Sequence, residues 1–267
     1  MKKILVLFLA IALAGGAAFA QDVGLTIGAE VGVPDISSPE GTGLRAFILW
    51  GGDGGVDGLE LEMEVGFVGL NGHHDLRLFT GYSFGITDAG ALRLHLETEN
   101  DFGIPALGDH LTGGLAVGVR FTQDLGGMYL FGQAALTNFL AWDTVARDGA
   151  FDSMGLGILA GFGADVGVGN FDIEVAFNAS FAENDDFAQS LVIHPFFSFA
   201  DLPLSLNVEF DIPLWENAMD NYGMSITPEI GIELVPGLNF SVNMPIGGVG
   251  ATDDGTVGLG VVLQVSF

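Results

Sequence analysis

Four arginines, Arg45, Arg77, Arg93 and Arg120, stand on stretches in which every second residue is apolar, and acids share their parity. Glu60, Glu62 and Glu64 alternate with Leu59, Leu61, Met63 and Val65, and Glu97 and Glu99 lie two and three alternations beyond Arg93. Farther on, Asp172, Glu174, Glu209, Asp211, Glu229 and Glu233 repeat the pattern with no base among them, and Glu30 precedes them all. Fixed charges at a two-residue spacing fall on one face of a strand. Facing water across a gap, mixed charges opposite purely acidic ones set up a transverse field that sorts solutes by charge. Packed together, the same groups simply neutralise one another, and the sequence leaves both readings open.

A second constellation, His73, His74, Asp75, Asp109 and His110, has the residue types for activating water or binding a metal ion. His73 and His74 are adjacent and would point to opposite faces of a strand, and no motif joins the two clusters. No catalytic residue, metal site or cofactor is therefore assigned.

The elements that must position these groups are strands. Two-residue alternation recurs in fourteen segments: 22–32, 43–50, 58–68, 74–84, 91–100, 112–122, 128–141, 153–166, 171–182, 189–199, 203–214, 223–234, 238–245 and 256–267. Helical periodicity is absent. Segment 128–141 is the least regular, with large apolar residues on both faces. Every second join is a short Gly/Asp/Pro turn, such as QDLGG, GVGN or VPG. Most of the others are longer and acidic, and carry Glu183, Asp185, Asp186, Glu216, Asp220, Asp253 and Asp254. Short turns on one side and long loops on the other describe an up-and-down meander.

Periodicity identifies an apolar face without saying whether it meets a core or a lipid. A secreted sandwich or solenoid would bury it. Strand length favours lipid, because globular strands average about 5 to 6 residues. Twelve residues at about 3.4 Å each, tilted near 40°, rise about 31 Å, enough to cross an apolar band of about 25 Å. Fourteen such strands give a barrel of about 28 Å backbone diameter, with about 12 to 16 Å left inside the side chains. Ten or twelve strands would narrow it. Inward glycines, including Gly28, Gly66, Gly81, Gly118 and Gly260, are expected to leave that space open.

Both ends add information. Lys2 and Lys3, the apolar run from Ile4 to Ala14 and the small-residue stretch ending at Ala20 follow the order of a secretory signal peptide. Cleavage between Ala20 and Gln21 is expected, leaving 21–267 as one domain. Five arginines then face 34 acidic residues, which excludes nucleic acid as a partner. There is no cysteine, so packing and backbone pairing alone must hold the fold. The last strand, VGLGVVLQVSF, keeps Val261, Leu263, Val265 and Phe267 on one face, and a frayed terminus should not carry an exposed aromatic unless something recognises it.

Signal peptide, even strand count, alternating turn lengths and a terminal strand ending in Phe267 together make the chain resemble bacterial outer-membrane β-barrel proteins of the porin-like kind. The resemblance implies an all-β, transmembrane antiparallel barrel in the outer membrane of a Gram-negative cell after Sec export. Its partners would be outer-membrane lipid and the barrel assembly machinery, which reads Val261, Leu263, Val265 and Phe267 as an address. The fifteen strand residues first described, Glu30 set aside, become the expected pore lining of an acidic, cation-preferring diffusion channel. A structural or adhesive barrel whose acidic loops bind divalent cations is the alternative. A hydrolase of the omptin kind, built on the His/Asp clusters, is a remoter one.

Overall fold

The computed structural model describes residues 23–34, 36–37, 43–53, 56–68, 73–103, 111–143, 154–181, 188–214, 219, 223–251 and 255–267. Strands β1 to β6 are Val23–Val33, Gly43–Gly52, Leu59–Val68, His73–Thr87, Gly90–Gly103 and Leu111–Asp124. Strands β7 to β12 are Met128–Asp143, Met154–Asp165, Gly169–Phe181, Ala188–Phe199, Leu204–Pro213 and Met224–Val235. Four shorter pieces follow: β13 Leu238–Asn243, β14 Ile246–Val249, β15 Thr256–Val257 and β16 Leu259–Ser266.

These pieces make fourteen staves. Pro245 has no N–H to give the ladder, so β13 stops before it. Beyond it β14 resumes against β12 in unchanged register, Ile226 opposite Ile246 as Glu229 is opposite Asn243. In the same way β15 continues β16, with Ile246 opposite Val257 and Asn243 opposite Gly260. Each stave pairs antiparallel with its sequence neighbours, and the last pairs with the first, from Thr26 opposite Ser266 to Val33 opposite Leu259. Phe267 N–H donates to Leu25 O at 2.9 Å, so the chain end is sewn to its beginning. The all-β, fourteen-stave antiparallel barrel expected from the sequence is the fold. Closure pairs the outermost strands and leaves the sheet no edge.

Local chemistry sets the short turns. Asp124 and Asp165 each accept a hydrogen bond at 2.7 Å from the backbone N–H two residues on, Gly126 and Gly167. Those glycines sit at φ of 74° and 81°, a left-handed backbone that costs glycine least.

Burial is inverted relative to a globular protein. Among the described apolar residues only Phe131 and Ala179 are buried, while Leu94 (53%), Ile158 (47%), Ile230 (51%) and Leu263 (44%) are exposed on the outer face. A band of that extent is stable only against an apolar solvent. Aromatics gather on this face near the short-turn rim, where Trp50, Tyr82, Phe84 and Phe199 lie; Trp215 falls outside the described residues.

Candidate functional site: the inner wall

The register carries one parity unbroken round the ring. Glu30 lies opposite Arg45, Glu64 opposite Arg77, Arg77 opposite Glu99, Arg93 opposite Arg120, and Arg120 opposite Gln133. Gln133 faces Leu159, Gly161 faces Glu174, and Asn207 faces Glu229. Gln264 faces Gly28 and completes the circuit. All fifteen charged residues singled out in the sequence therefore share one face. That face is the concave one: a cavity of about 680 Å³ is bounded by residues of that parity on six consecutive staves, from Thr137 on β7 to Ser225 on β12. A second cavity, of about 450 Å³, is bounded by Ser198, Ser205, Glu229, Glu233, Asn239 and Gln264 toward the short-turn end.

The two sides of this wall differ. On β2 to β6 three of the four arginines are engaged. Arg45 donates to Glu64 and, at 2.5 Å, to Asp75; Arg77 donates to Glu97; Arg93 reaches over β4 to Glu60 at 2.5 Å. Arg120 has no carboxylate partner among the described residues and lies 4.3 Å above the ring of Phe131. Among the described side chains, four arginines thus stand beside seven carboxylates on this side: Glu60, Glu62, Glu64, Asp75, Glu97, Glu99 and, at the short-turn rim, Asp124. Seven staves away, β9, β11 and β12 present Asp172, Glu174, Glu209, Asp211, Glu229 and Glu233 with no arginine, and β10 between them turns His194 to the same face opposite Glu174. Asp172 accepts from the Tyr129 hydroxyl, and Asp211 keeps a buried Oδ1 with no hydrogen-bond partner. Pairing within the wall is thus realised, and it neutralises only part of the inner charge.

Glycines decide how these side chains lie. Those expected to leave the space bare are instead roofed by cross-strand neighbours: a Cβ on Gly28 would strike the Phe47 ring, on Gly66 Asp75, on Gly118 the His95 ring, and on Gly260 Asn243. A Cβ on Gly81 would come within 3.2 Å of both Arg93 Cδ and the Phe79 ring, so Arg93 crosses β4 where no side chain rises. The same device appears on β8, where Gly161 and Gly163 seat Phe131 and Tyr129. The consequence is a thin wall. Each ion pair joins strands one or two apart, and among the described residues none reaches the opposite side.

β7 departs from its expected reading. Leu115 pairs with Leu140 but Val117 with Leu136, so the β7 side carries two extra residues, and Asn138 takes φ of 50°. This bulge turns Thr137 and Asn138 both inward, over Gly155 and Gly114 respectively. Alternation fails in segment 128–141 for two reasons: in regular register Tyr129 and Phe131 turn large rings inward over Gly163 and Gly161, and beyond Leu136 the backbone leaves strand geometry.

Of the His/Asp constellation only His74 and Asp75 have described side chains, and these two lie on opposite faces; His73 takes the parity of Asp75, and its side chain lies outside the described ones. Asp75 faces inward and is held by Arg45, whereas His74 faces outward, its ring 5.5 Å from that of Phe67. Asp109 and His110, the loop acids at 183, 185, 186, 216, 220, 253 and 254, and the cleavage residues Ala20 and Gln21 fall outside the described residues. Sequence reasoning missed His95, which is buried and stacked on Phe79 at 5.6 Å. Its alternation with Arg93 and Glu97 placed it on the polar face all along.

A closed antiparallel barrel, apolar outside and charged inside, with its last strand paired to its first, is the fold of the bacterial outer-membrane β-barrel proteins. Among particular proteins, the chain is similar to CdiB from Acinetobacter baumannii (TM-score 0.56, 8% identity), matching over 92% of its own length and 60% of that chain. It is also similar to the P. putida toluene transporter TodX (TM-score 0.53, 8% identity, 92% of this chain and 90% of that one). A third likeness is to the A. baumannii outer membrane channel DcaP (TM-score 0.50, 12% identity, 92% and 96%). Identities this low speak for the fold. No family model matches the sequence, and no curated protein matches it.

Proposed function

We propose that the mature chain, cut between Ala20 and Gln21, resides in the outer membrane as an acidic, cation-preferring passive channel for small solutes. One observation carries this reading: the inner side chains lie flat on glycines and pair along the wall, so no described side chain bridges the lumen. A filled barrel would need contacts across its axis. Acids outnumber arginines even on the mixed side, and the opposite wall carries acids with no arginine, His194 on β10 being its one imidazole among the described residues, so the field inside draws cations and repels anions.

Vesicles holding the refolded mature protein test the proposal. Loaded with radiolabelled potassium chloride and suspended in sodium chloride of equal strength, they should exchange potassium for sodium faster than labelled chloride for unlabelled. No exchange by vesicles in which the protein is folded and inserted would sink the channel reading.

A further inference from the structure

The larger cavity differs chemically from the rest of the lumen. Thr137, Asn138, Asn178, Ser180, Ser190 and Ser225 line it, and among the described residues Asp211 is its one carboxylate. Three features show a shaped recess. The β7 bulge, with Asn138 at φ of 50°, turns two consecutive polar side chains inward where a regular strand would turn one. Gly155 and Gly157 form a floor without side chains. Added volume there is available only at Gly157: a Cβ on Gly155 would strike Thr137 Oγ1, whereas one on Gly157 meets nothing closer than Asn178 Oδ1 at 3.4 Å. Lastly, Asp211 Oδ1 is buried without a hydrogen-bond partner, although buried carboxylate oxygens are nearly always satisfied.

We infer that this recess is a subsite for a small neutral polyol of mono- or disaccharide size, held at Asp211, Asn178 and Ser190. The inference rests on the channel reading and adds a solute class to it. Hydroxyls and carboxamides both donate and accept, so a ligand offering donors alone, such as an ammonium ion, would leave the amide N–H groups of Asn178 and the Ser hydroxyl protons without acceptors. A polyol brings both functions on every O–H, and adjacent hydroxyls can bond the free Asp211 oxygen. At about 680 Å³ the recess falls within the range of small-ligand sites, about 300 to 1,000 Å³. Among the described lining residues charge is sparse, so a neutral solute entering there does not strip water from ion pairs like those of the Arg45 side.

The test separates binding from conduction. Glucose, maltose and mannitol are titrated against the refolded mature barrel in detergent by saturation-transfer NMR, with a polyethylene glycol of matching mass as the size control. Ion current is recorded in parallel in a planar bilayer. Saturable binding of at least one polyol and none of the glycol is expected. Asp211→Asn, nearly isosteric, should weaken that binding about tenfold by removing a charge-assisted acceptor. Gly157→Leu should abolish it by filling the recess, and if that variant fails to fold, Asp211→Asn alone decides. Binding of none of the three polyols, or wild-type binding by a folded Asp211→Asn barrel, overturns the subsite. Current without binding discards the subsite and keeps the channel, whereas binding without current does the reverse.

Discussion

Arg45 and Arg120 carry the same charge on the same face, yet their removal should have different effects. Arg45 separates Glu64 from Asp75 and is bonded to both. Arg45→Ala leaves two carboxylates facing each other without a base and should cost about 1 to 3 kcal/mol of stability, read from unfolding in urea. Arg120 rests on Phe131 with no carboxylate partner among the described residues. Arg120→Ala should cost less, about 0.5 to 1 kcal/mol for a lost cation–π contact, and should raise cation selectivity. Equal losses in the two variants would contradict the pairing described. Parity alone revealed which residues share the inner face, because a strand alternates strictly. Which partner an arginine takes was hidden, since Arg93 bypasses its nearest stave to meet Glu60, and that reach depends on a bare Gly81 between them.

At the scale of elements, fourteen staves were readable because each carries enough alternation to stand above the turns. Two of the irregularities were not. A Met-Pro interruption keeps register across a gap, and the β7 bulge erases alternation over three residues beyond the inward rings of Tyr129 and Phe131, so the segment reads as noise in sequence. The bulge makes a specific demand on position 138, whose left-handed backbone asparagine tolerates and β-branched residues do not. Asn138→Val should lose about 1 to 3 kcal/mol in urea unfolding, while Asn138→Gly should cost little or nothing in backbone strain. The last strand makes a different demand. The Phe267 backbone is bonded to Leu25, but its ring is 77% exposed, so packing does not account for an aromatic there. Phe267→Ala should therefore refold in vitro with stability within about 0.5 kcal/mol of the parent. In cells the same variant should insert into the outer membrane poorly; normal insertion would remove the assembly-address reading of Val261, Leu263, Val265 and Phe267.

For the whole molecule, the arrangement of charge around the ring is the property most closely tied to function. Segments numbered along the chain become positions around a circle only on closure, and closure sets β4, with Arg77 and Asp75, seven staves from β11, with Glu209 and Asp211. The sequence supplied the list of charges, and the closed register supplied their opposition. The glycine seats, legible as glycines but not as seats, keep the wall thin enough for that opposition to act across water. The central claim is thus an open lumen whose fixed charge is negative. Its most direct test is the reversal potential of single-channel currents under a potassium chloride gradient, measured for the wild-type barrel and for the double variant Glu209→Gln, Asp211→Asn. A cation-selective potential that moves toward zero in the double variant is predicted. A folded, inserted wild-type barrel that passes no current, or one whose potential is anion-selective, would contradict the account.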